Sequence, residues 1–72
     1  MYHAVIVDDE PFVLDGLKAA IDWEGSNFEI AFADTNPLNV LSYIKSHPVD
    51  LLITDISMPE MSGLELILEA KA

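Results

Sequence analysis

The first strand that this sequence predicts is apolar along its whole length and is followed immediately by acidic residues. Residues 4–7 (AVIV) lack the alternation of apolar and polar side chains that marks a strand with one face in water. An uninterrupted β-branched run is typical of a strand that is covered on both faces, as in a parallel sheet with helices on each side. This run therefore favours an α/β fold over an open antiparallel sheet.

Two further strand-like segments and three helical segments alternate along the rest of the chain. Residues 28–33 (FEIAFA) and 51–54 (LLIT) predict the second and third strands, and the latter is apolar enough for a dry interior. Between the strands, apolar residues recur three or four positions apart, which predicts helices with one buried stripe. The stripes are Val13, Leu14, Leu17, Ala20 and Ile21 in the first helix, and Leu38, Val40, Leu41 and Ile44 in the second.

Proline and asparagine mark where the helices begin and end. Pro11 and Pro37 are suited to the first position of a helix, and Asn36 can cap the second one. Pro48 ends that second helix, because the residue before a proline avoids helical geometry. Residues 64–71 (LELILEAK) predict a third helix. This alternation of strand and helix predicts a parallel sheet with covering helices and right-handed crossovers.

Composition narrows the class of protein. The chain has 72 residues, of which 51% are hydrophobic, so it is one domain at most and too apolar for a disordered tail. Its formal net charge of −10 makes a poor surface for nucleic acid and for anionic membranes. It has no Cys, no apolar run of membrane-spanning length and no basic N-terminal region of a secretory signal. We therefore expect a cytoplasmic protein.

Three carboxylates follow two of the predicted strands. Asp8 and Asp9 come directly after the first strand, and Asp55 comes directly after the third. In a parallel sheet these strand ends share one edge, so the side chains meet if the two strands are neighbours. Crowded carboxylates repel each other until one takes up a proton or a cation binds, and oxygen ligands favour Mg²⁺. A single Asp after a strand is more often a turn residue or a helix cap, and the residues alone leave both interpretations open.

Several enzyme classes that handle phosphate or activate a nucleophile do not match. The chain contains neither the G-x-x-x-x-G-K-[ST] loop of nucleoside triphosphatases nor the dinucleotide-binding fingerprint G-x-G-x-x-G. A phosphatase of the haloacid dehalogenase type would carry a second Asp two positions after Asp55, where this chain has Ser57. His3 and His47 do not complete a Ser-His-Asp arrangement. These classes of enzyme therefore fit the chain poorly.

Three sequence blocks resemble the receiver domain of two-component response regulators. They are residues 6–11 (IVDDEP), 50–59 (DLLITDISMP) and 61–65 (MSGLE), and they occur in the family's order over nearly the whole chain. Residues 21–24 (IDWE) also resemble receivers that are attached to AraC-type DNA-binding domains. The resemblance implies a flavodoxin-like fold with sheet order 2-1-3-4-5. Residues 1–72 would then be an incomplete receiver domain, comprising the first two βα units, the third strand and the start of the third helix.

The resemblance also implies a role for each matching residue at the strand ends. Asp55 would accept a phosphoryl group from a phosphohistidine on a sensor histidine kinase. Asp9, Asp55 and the backbone carbonyl of Ser57 would bind Mg²⁺ directly, and Asp8 would hold the ion through water. Gly63 would adopt a left-handed backbone angle before the third helix. In the full-length parent, this phosphorylation would control transcription through a separate DNA-binding domain. The resemblance therefore also implies that the chain is not an enzyme.

Two functional residues of the family have no counterpart in residues 1–72. They are the switch Ser or Thr after the fourth strand and the phosphate-binding Lys after the fifth, and Lys45 and Lys71 lie in predicted helices instead. We therefore expect slow or absent phosphotransfer by this chain, and a third strand whose far edge is unpaired. Such an edge favours a fragment of a longer domain, or self-association through that edge or by exchanged elements. The alternative function is then an interaction module that is not phosphorylated.

Overall fold

The computed structural model of the chain describes residues 1–71, in which three parallel strands alternate with three helices. They are β1 (Tyr2–Val7), α1 (Pro11–Ala20), β2 (Phe28–Asp34), α2 (Pro37–Ser46), β3 (Leu51–Thr54) and α3 (Gly63–Lys71). The sheet order is β2-β1-β3, and both strand pairs are parallel. This confirms the predicted α/β class, and the order is that of the first three strands of the expected fold. Across these residues, no helix has the length and apolar character that a membrane span requires.

The limits of the elements follow the sequence signals closely. Proline is the first residue of both α1 and α2, as predicted. The Asn36 side chain accepts a hydrogen bond from the Leu38 backbone N–H at 2.9 Å, which confirms the predicted cap of α2. β1 begins earlier than predicted, at Tyr2, because the Tyr2 N–H still finds an acceptor in the Asn27 carbonyl at 2.9 Å.

β1 lies at the centre of the sheet and is buried on both faces. The side chains of residues 4–7 are no more than 1% exposed. Val5 and Val7 belong to a core cluster with Val40 of α2 and Leu66 of α3. The alternate residues of β1 point to the opposite face, where a right-handed crossover places α1. The uninterrupted apolar run therefore has the burial that it predicted.

Backbone pairing between β1 and β3 sets which residues meet at the edge of the sheet. The register is parallel and ends with Val7 opposite Thr54. At the start of β3, the Asp50 N–H donates to the His3 carbonyl at 2.9 Å, and the Asp50 carboxylate accepts from the His3 N–H at 2.7 Å. These two hydrogen bonds close one end of the β1–β3 ladder and hold its register.

The β1–β2 ladder contains one irregularity, at Ala31. Val5 pairs with Phe32 although the preceding residue of β1 pairs with Ile30, so Ala31 is the extra residue of a β-bulge. The bulge puts Phe32 on the same face as Val5, where its ring stacks on Tyr43 of α2 with the ring centroids 4.6 Å apart. Simple alternation along β2 would instead have put Ile30 and Phe32 on one face.

The buried stripes of the helices are narrower than predicted. Leu38 is 49% exposed, and Ile21, which follows the end of α1, is 38% exposed. In α2 the first buried residue is Pro37, with Val40 one turn later. Because Pro37 occupies the buried position, its neighbour Leu38 is turned toward solvent. The prediction that Leu38 and Ile21 are buried was wrong. It was also wrong for Val13, which is 48% exposed, and for Ala20, which is exposed.

β3 lies at an edge of the sheet and is less buried than its sequence suggests. Leu51 is 36% exposed, and the other residues of the strand are half-buried. Within residues 1–71, β3 pairs with β1 alone, so its opposite edge has no strand beside it. The expectation of a dry interior was therefore wrong for β3, whereas the unpaired edge is present in this part of the chain.

The Asn36 cap gives a test of how α2 is stabilised. Asn36→Ala removes the acceptor of the Leu38 N–H, so we expect the free energy of unfolding to fall by about 1 kcal/mol. Asn36→Ser keeps a side-chain oxygen at the cap and is the matched control, with stability close to that of the wild type. Urea unfolding followed by circular dichroism measures the difference. Equal stability of the two variants would show that the cap does not stabilise α2.

Candidate functional site

Three carboxylates meet at the carboxyl end of the sheet. Asp8 and Asp9 follow β1 directly, and Asp55 follows β3 directly. One carboxylate oxygen from each residue lies within 4.8 Å of the oxygens from the other two. The structure therefore brings together the three acidic residues of the predicted metal site, although two strands and two helices separate Asp9 from Asp55 in the chain.

The three side chains differ in burial and in their hydrogen bonds. Asp8 is buried, with 8% of its surface exposed, and its Oδ1 accepts the Glu10 N–H at 2.9 Å. Asp9 and Asp55 are half-buried and can be reached from solvent. The Asp55 N–H donates to the Val7 carbonyl at 3.2 Å, which ties this residue to the end of β1. We call this group of Asp8, Asp9 and Asp55 the acidic pocket. It has one buried carboxylate and two accessible ones.

No side-chain cation pairs with these carboxylates within residues 1–71. The ion pairs in this part of the chain are Lys18 with Asp15 at 4.0 Å and His3 with Glu29 at 3.6 Å. Neither pair includes a residue of the pocket. Carboxylate oxygens without a neighbouring Lys or Arg are ligands that a hard divalent cation prefers, so the donor set fits Mg²⁺.

The loop between β3 and α3 is anchored by its apolar residues. Met58 is 7% exposed and belongs to the core cluster that β1, α2 and α3 share, and Met61 packs against the same cluster. Ser57, directly before Met58, is exposed. These contacts do not test whether the Ser57 carbonyl binds a metal ion, and that role stays a prediction.

Gly63 is needed at the start of α3, but not for the predicted reason. No glycine in residues 1–71 has a positive φ angle, so the prediction of a left-handed backbone at Gly63 was wrong. A Cβ at this position would overlap the Asp55 carbonyl oxygen and would lie 3.1 Å from the Ile56 Cα. Glycine is required here because α3 begins in close contact with the backbone that follows β3.

Thr54 is a residue of the site that the sequence did not single out. Its Oγ1 donates to the Asp55 carbonyl at 2.9 Å in a partly buried position. The sequence feature that could have pointed to Thr54 is its position, a hydroxyl residue immediately before the Asp that follows the strand. That signal is weak, because a Thr in a strand is ordinarily explained by its preference for extended backbone.

The fold and the pocket together define a receiver-like domain, that is, a parallel α/β sheet with an acidic pocket beyond the carboxyl ends of its strands. A comparison of the sequence with models of known protein families agrees with this description. Residues 4–71 match the response regulator receiver domain, and the chain belongs to that family.

Curated relatives come from the same family. The chain is 35% identical over 71 residues to an uncharacterized response regulatory protein of Staphylococcus epidermidis, a match that covers 99% of the chain and 28% of the relative. It is 37% identical over 67 residues to the transcriptional regulatory protein HptR of Staphylococcus aureus, over 93% of the chain and 27% of that protein. The chain thus spans less than a third of the length of these relatives.

Solved structures of similar proteins share the fold. A two-component transcriptional regulator AraC from Clostridium phytofermentans matches with a TM-score of 0.87 at 34% identity, over 97% of this chain and 56% of that one. The receiver domain of AraT, a response regulator from Geobacillus stearothermophilus, matches with a TM-score of 0.90 at 34% identity, over 97% of this chain and 54% of that one. These matches confirm the resemblance to receivers of AraC-type regulators.

Several properties are common to receiver domains as a family. Receiver domains are regulatory, which confirms the expectation that the chain is not an enzyme. They interact with histidine kinases, some of them oligomerise, and they generally use Mg²⁺ at an acidic site. The names of the relatives support two-component signalling and the regulation of transcription. The roles of individual residues in this chain stay predictions.

Removing one charge from the pocket should relieve repulsion. Asp55→Asn neutralises one of the three carboxylates, so we expect the free energy of unfolding in EDTA to rise by at least about 1 kcal/mol, the Coulomb energy of one pair of charges this close in water. Glu69→Gln removes one charge from an exposed position of α3 and should change stability by no more than about 0.5 kcal/mol. Urea unfolding measures both. A loss of stability in Asp55→Asn would contradict charge crowding in the pocket.

Proposed function

We propose that this chain is the phosphoacceptor part of a receiver domain, with Asp55 as the residue that takes the phosphoryl group. The observation that carries this proposal is the meeting of Asp8, Asp9 and Asp55 at one sheet edge in a chain of the receiver family. Asp55 is half-buried at the end of a strand, where a phosphoryl donor can reach it. Asp8 is buried and already accepts a backbone hydrogen bond, which suits a supporting role.

The proposed transfer is a nucleophilic displacement at phosphorus. An Asp55 carboxylate oxygen attacks the phosphoryl group of a phosphohistidine on the sensor histidine kinase, and the product is an acyl phosphate. The P–N bond breaks, and the histidine nitrogen keeps the electron pair of that bond. The hydrogen bond from the Asp55 N–H to the Val7 carbonyl holds the backbone of the nucleophile, which favours one direction of attack.

The pocket would hold Mg²⁺ during this transfer. The bound ion would offset the repulsion between the anionic nucleophile and the anionic phosphoryl group. The carboxylates of Asp9 and Asp55 and the carbonyl of Ser57 would bind it directly, and Asp8 would hold it through water. The hydrogen bond from the Glu10 N–H to Oδ1 of Asp8 supports this division, because it leaves Oδ2 available for a water molecule.

The sensor histidine kinase would approach the pocket over exposed apolar side chains. Phe12, in the first turn of α1, is 89% exposed, and Ile56, next to Asp55, is 69% exposed. Both residues lie within a few positions of the carboxylates, so we propose that they contact the kinase during transfer. The net charge of −10 favours a partner surface with basic residues around an apolar centre.

At the level of the whole protein, we propose control of transcription in the cytoplasm. The support is the printed description of two relatives, a transcriptional regulatory protein and a transcriptional regulator of AraC type. A separate domain would contact DNA, because a segment with a net charge of −10 is repelled by the phosphate backbone.

A second candidate function is association without phosphorylation. The unpaired edge of β3 favours it, with Leu51 36% exposed, and so does a pocket whose carboxylates pair with no Lys in the described part of the chain. A strand from a second copy, or an exchanged element, would complete the ladder of β3.

Acetyl phosphate in the presence of Mg²⁺ tests the phosphoacceptor proposal. We expect the 72-residue chain to gain the mass of one phosphoryl group slowly, and EDTA to prevent the gain. Asp55→Asn should gain none. Asp50→Asn is the matched control, because Asp50 lies at the opposite end of β3 and an amide oxygen can still accept the His3 N–H. Intact-mass spectrometry measures each variant.

Two outcomes of that experiment would contradict the proposal. A phosphoryl group gained by Asp55→Asn would place the acceptor elsewhere in the chain. A wild-type chain that gains none, and that is a dimer by light scattering, would favour the association function instead.

Substitution of Phe12 tests the surface proposed for the kinase. Phe12→Ala should slow transfer from a phosphorylated sensor kinase roughly tenfold, as loss of an exposed aromatic contact residue does at many interfaces. Its reaction with acetyl phosphate should be unchanged, because the carboxylates are intact. Leu68→Ala, at a residue of α3 that is 69% exposed, is the control. Equal transfer rates for both variants would remove Phe12 from the interface.

A further inference from the structure

Two residues beside the pocket contact the peptide that links Asp55 to Ile56, Thr54 by a hydrogen bond and Gly63 by close packing. We propose that Thr54 and Gly63 are positioning residues whose contacts with this peptide set the affinity of the pocket for a divalent cation. The inference deepens the proposed function and rests on it, since it concerns the same cation site. Neither residue offers a carboxylate to the pocket, so both would act through the backbone of Asp55.

Thr54 holds the carbonyl of the proposed phosphoacceptor from the strand side. Its Oγ1 donates to the Asp55 carbonyl at 2.9 Å in a partly buried position. A hydrogen bond of this kind is stronger where water competes less. It restrains the peptide plane that follows Asp55, and that plane fixes where the chain leaves the pocket.

Gly63 lies against the same peptide from the helix side and donates a hydrogen bond to the peptide after it. Its N–H donates to the Ile56 carbonyl at 2.8 Å. Its α-carbon lies so close to the Asp55 backbone that a Cβ would overlap the Asp55 carbonyl oxygen and would be 3.0 Å from the carbonyl carbon. A side chain at this position therefore forces either the start of α3 or the Asp55 peptide to move.

The backbone is thereby restrained on both sides of the Asp55 carboxylate. The Asp55 N–H donates to the Val7 carbonyl at 3.2 Å. The Asp55 carbonyl accepts from Thr54 Oγ1 and lies in close contact with Gly63. A ligand group that is already oriented loses less conformational freedom when a cation binds, so the site binds more tightly. Loosening this restraint should weaken cation binding without removing any ligand, as loss of a supporting contact around a metal ligand commonly does.

Two pairs of variants test this inference. Thr54→Val removes the hydroxyl with little change of shape, and Thr54→Ser restores it. Gly63→Ala introduces the overlapping Cβ, and Gly16→Ala is its control, because a Cβ at Gly16 in α1 meets nothing within 4 Å. The dissociation constant for Mg²⁺ is measured with MgCl₂ and the 72-residue chain, from the backbone amide NMR signals of residues 8–10 and 55–57.

We expect Thr54→Val and Gly63→Ala to raise the dissociation constant for Mg²⁺ roughly tenfold. Thr54→Ser and Gly16→Ala should stay within about twofold of the wild type, since neither disturbs the Asp55 peptide. Thermal unfolding is measured on the same samples, because a merely structural role would lower the unfolding temperature and leave the dissociation constant unchanged. If Gly63→Ala does not fold, the Thr54 pair decides the question alone.

The Mg²⁺ measurement separates failure of the inference from failure of the proposed cation site. Equal Mg²⁺ affinity in the wild type and in Thr54→Val overturns the inference and leaves the cation site standing. A wild-type chain that binds no Mg²⁺ overturns the cation site and the inference with it.

Discussion

The site depends on the parallel pairing of β1 with β3. That pairing ends with Val7 opposite Thr54, and the next residue of each strand contributes a carboxylate to the pocket. The hydrogen bonds between Asp50 and His3 hold the register at the other end of the ladder. A slip of one residue would turn every side chain of β3 to the opposite face of the sheet and would move Asp55 away from Asp8.

The same pairing concentrates negative charge at the end of the most buried strand. Residues 4–7 are no more than 1% exposed, and a buried carboxylate follows them directly in the chain. A chain of 72 residues has a small core, so repulsion of this kind is a large fraction of its net stability. A cation that binds the folded chain alone would stabilise it by mass action. The small core must therefore offset the repulsion between the three carboxylates whenever no cation is bound.

The two edges of the sheet differ in how well they are protected from further pairing. β2 carries a bulge at Ala31 and ends in Asp34, and irregularity and charge both discourage the addition of another strand. β3 is short, regular and uncharged, and its outer edge is unpaired within residues 1–71. The edge next to the proposed phosphoacceptor is thus also the edge that is open to association, which is why the two candidate functions concern the same strand.

The sequence by itself determined which elements form and what chemistry follows the strands. Proline at the helix starts, the Asn36 cap and the apolar run of β1 act through local backbone preferences, so they could be read without knowing the fold. Only the tertiary structure decided the face of Phe32, which a bulge reverses, and the burial of Pro37 in place of Leu38. It also decided why Gly63 is glycine, since the reason is contact with a backbone eight positions earlier rather than a backbone angle. These features depend on how distant segments pack, and local periodicity carries no information about that.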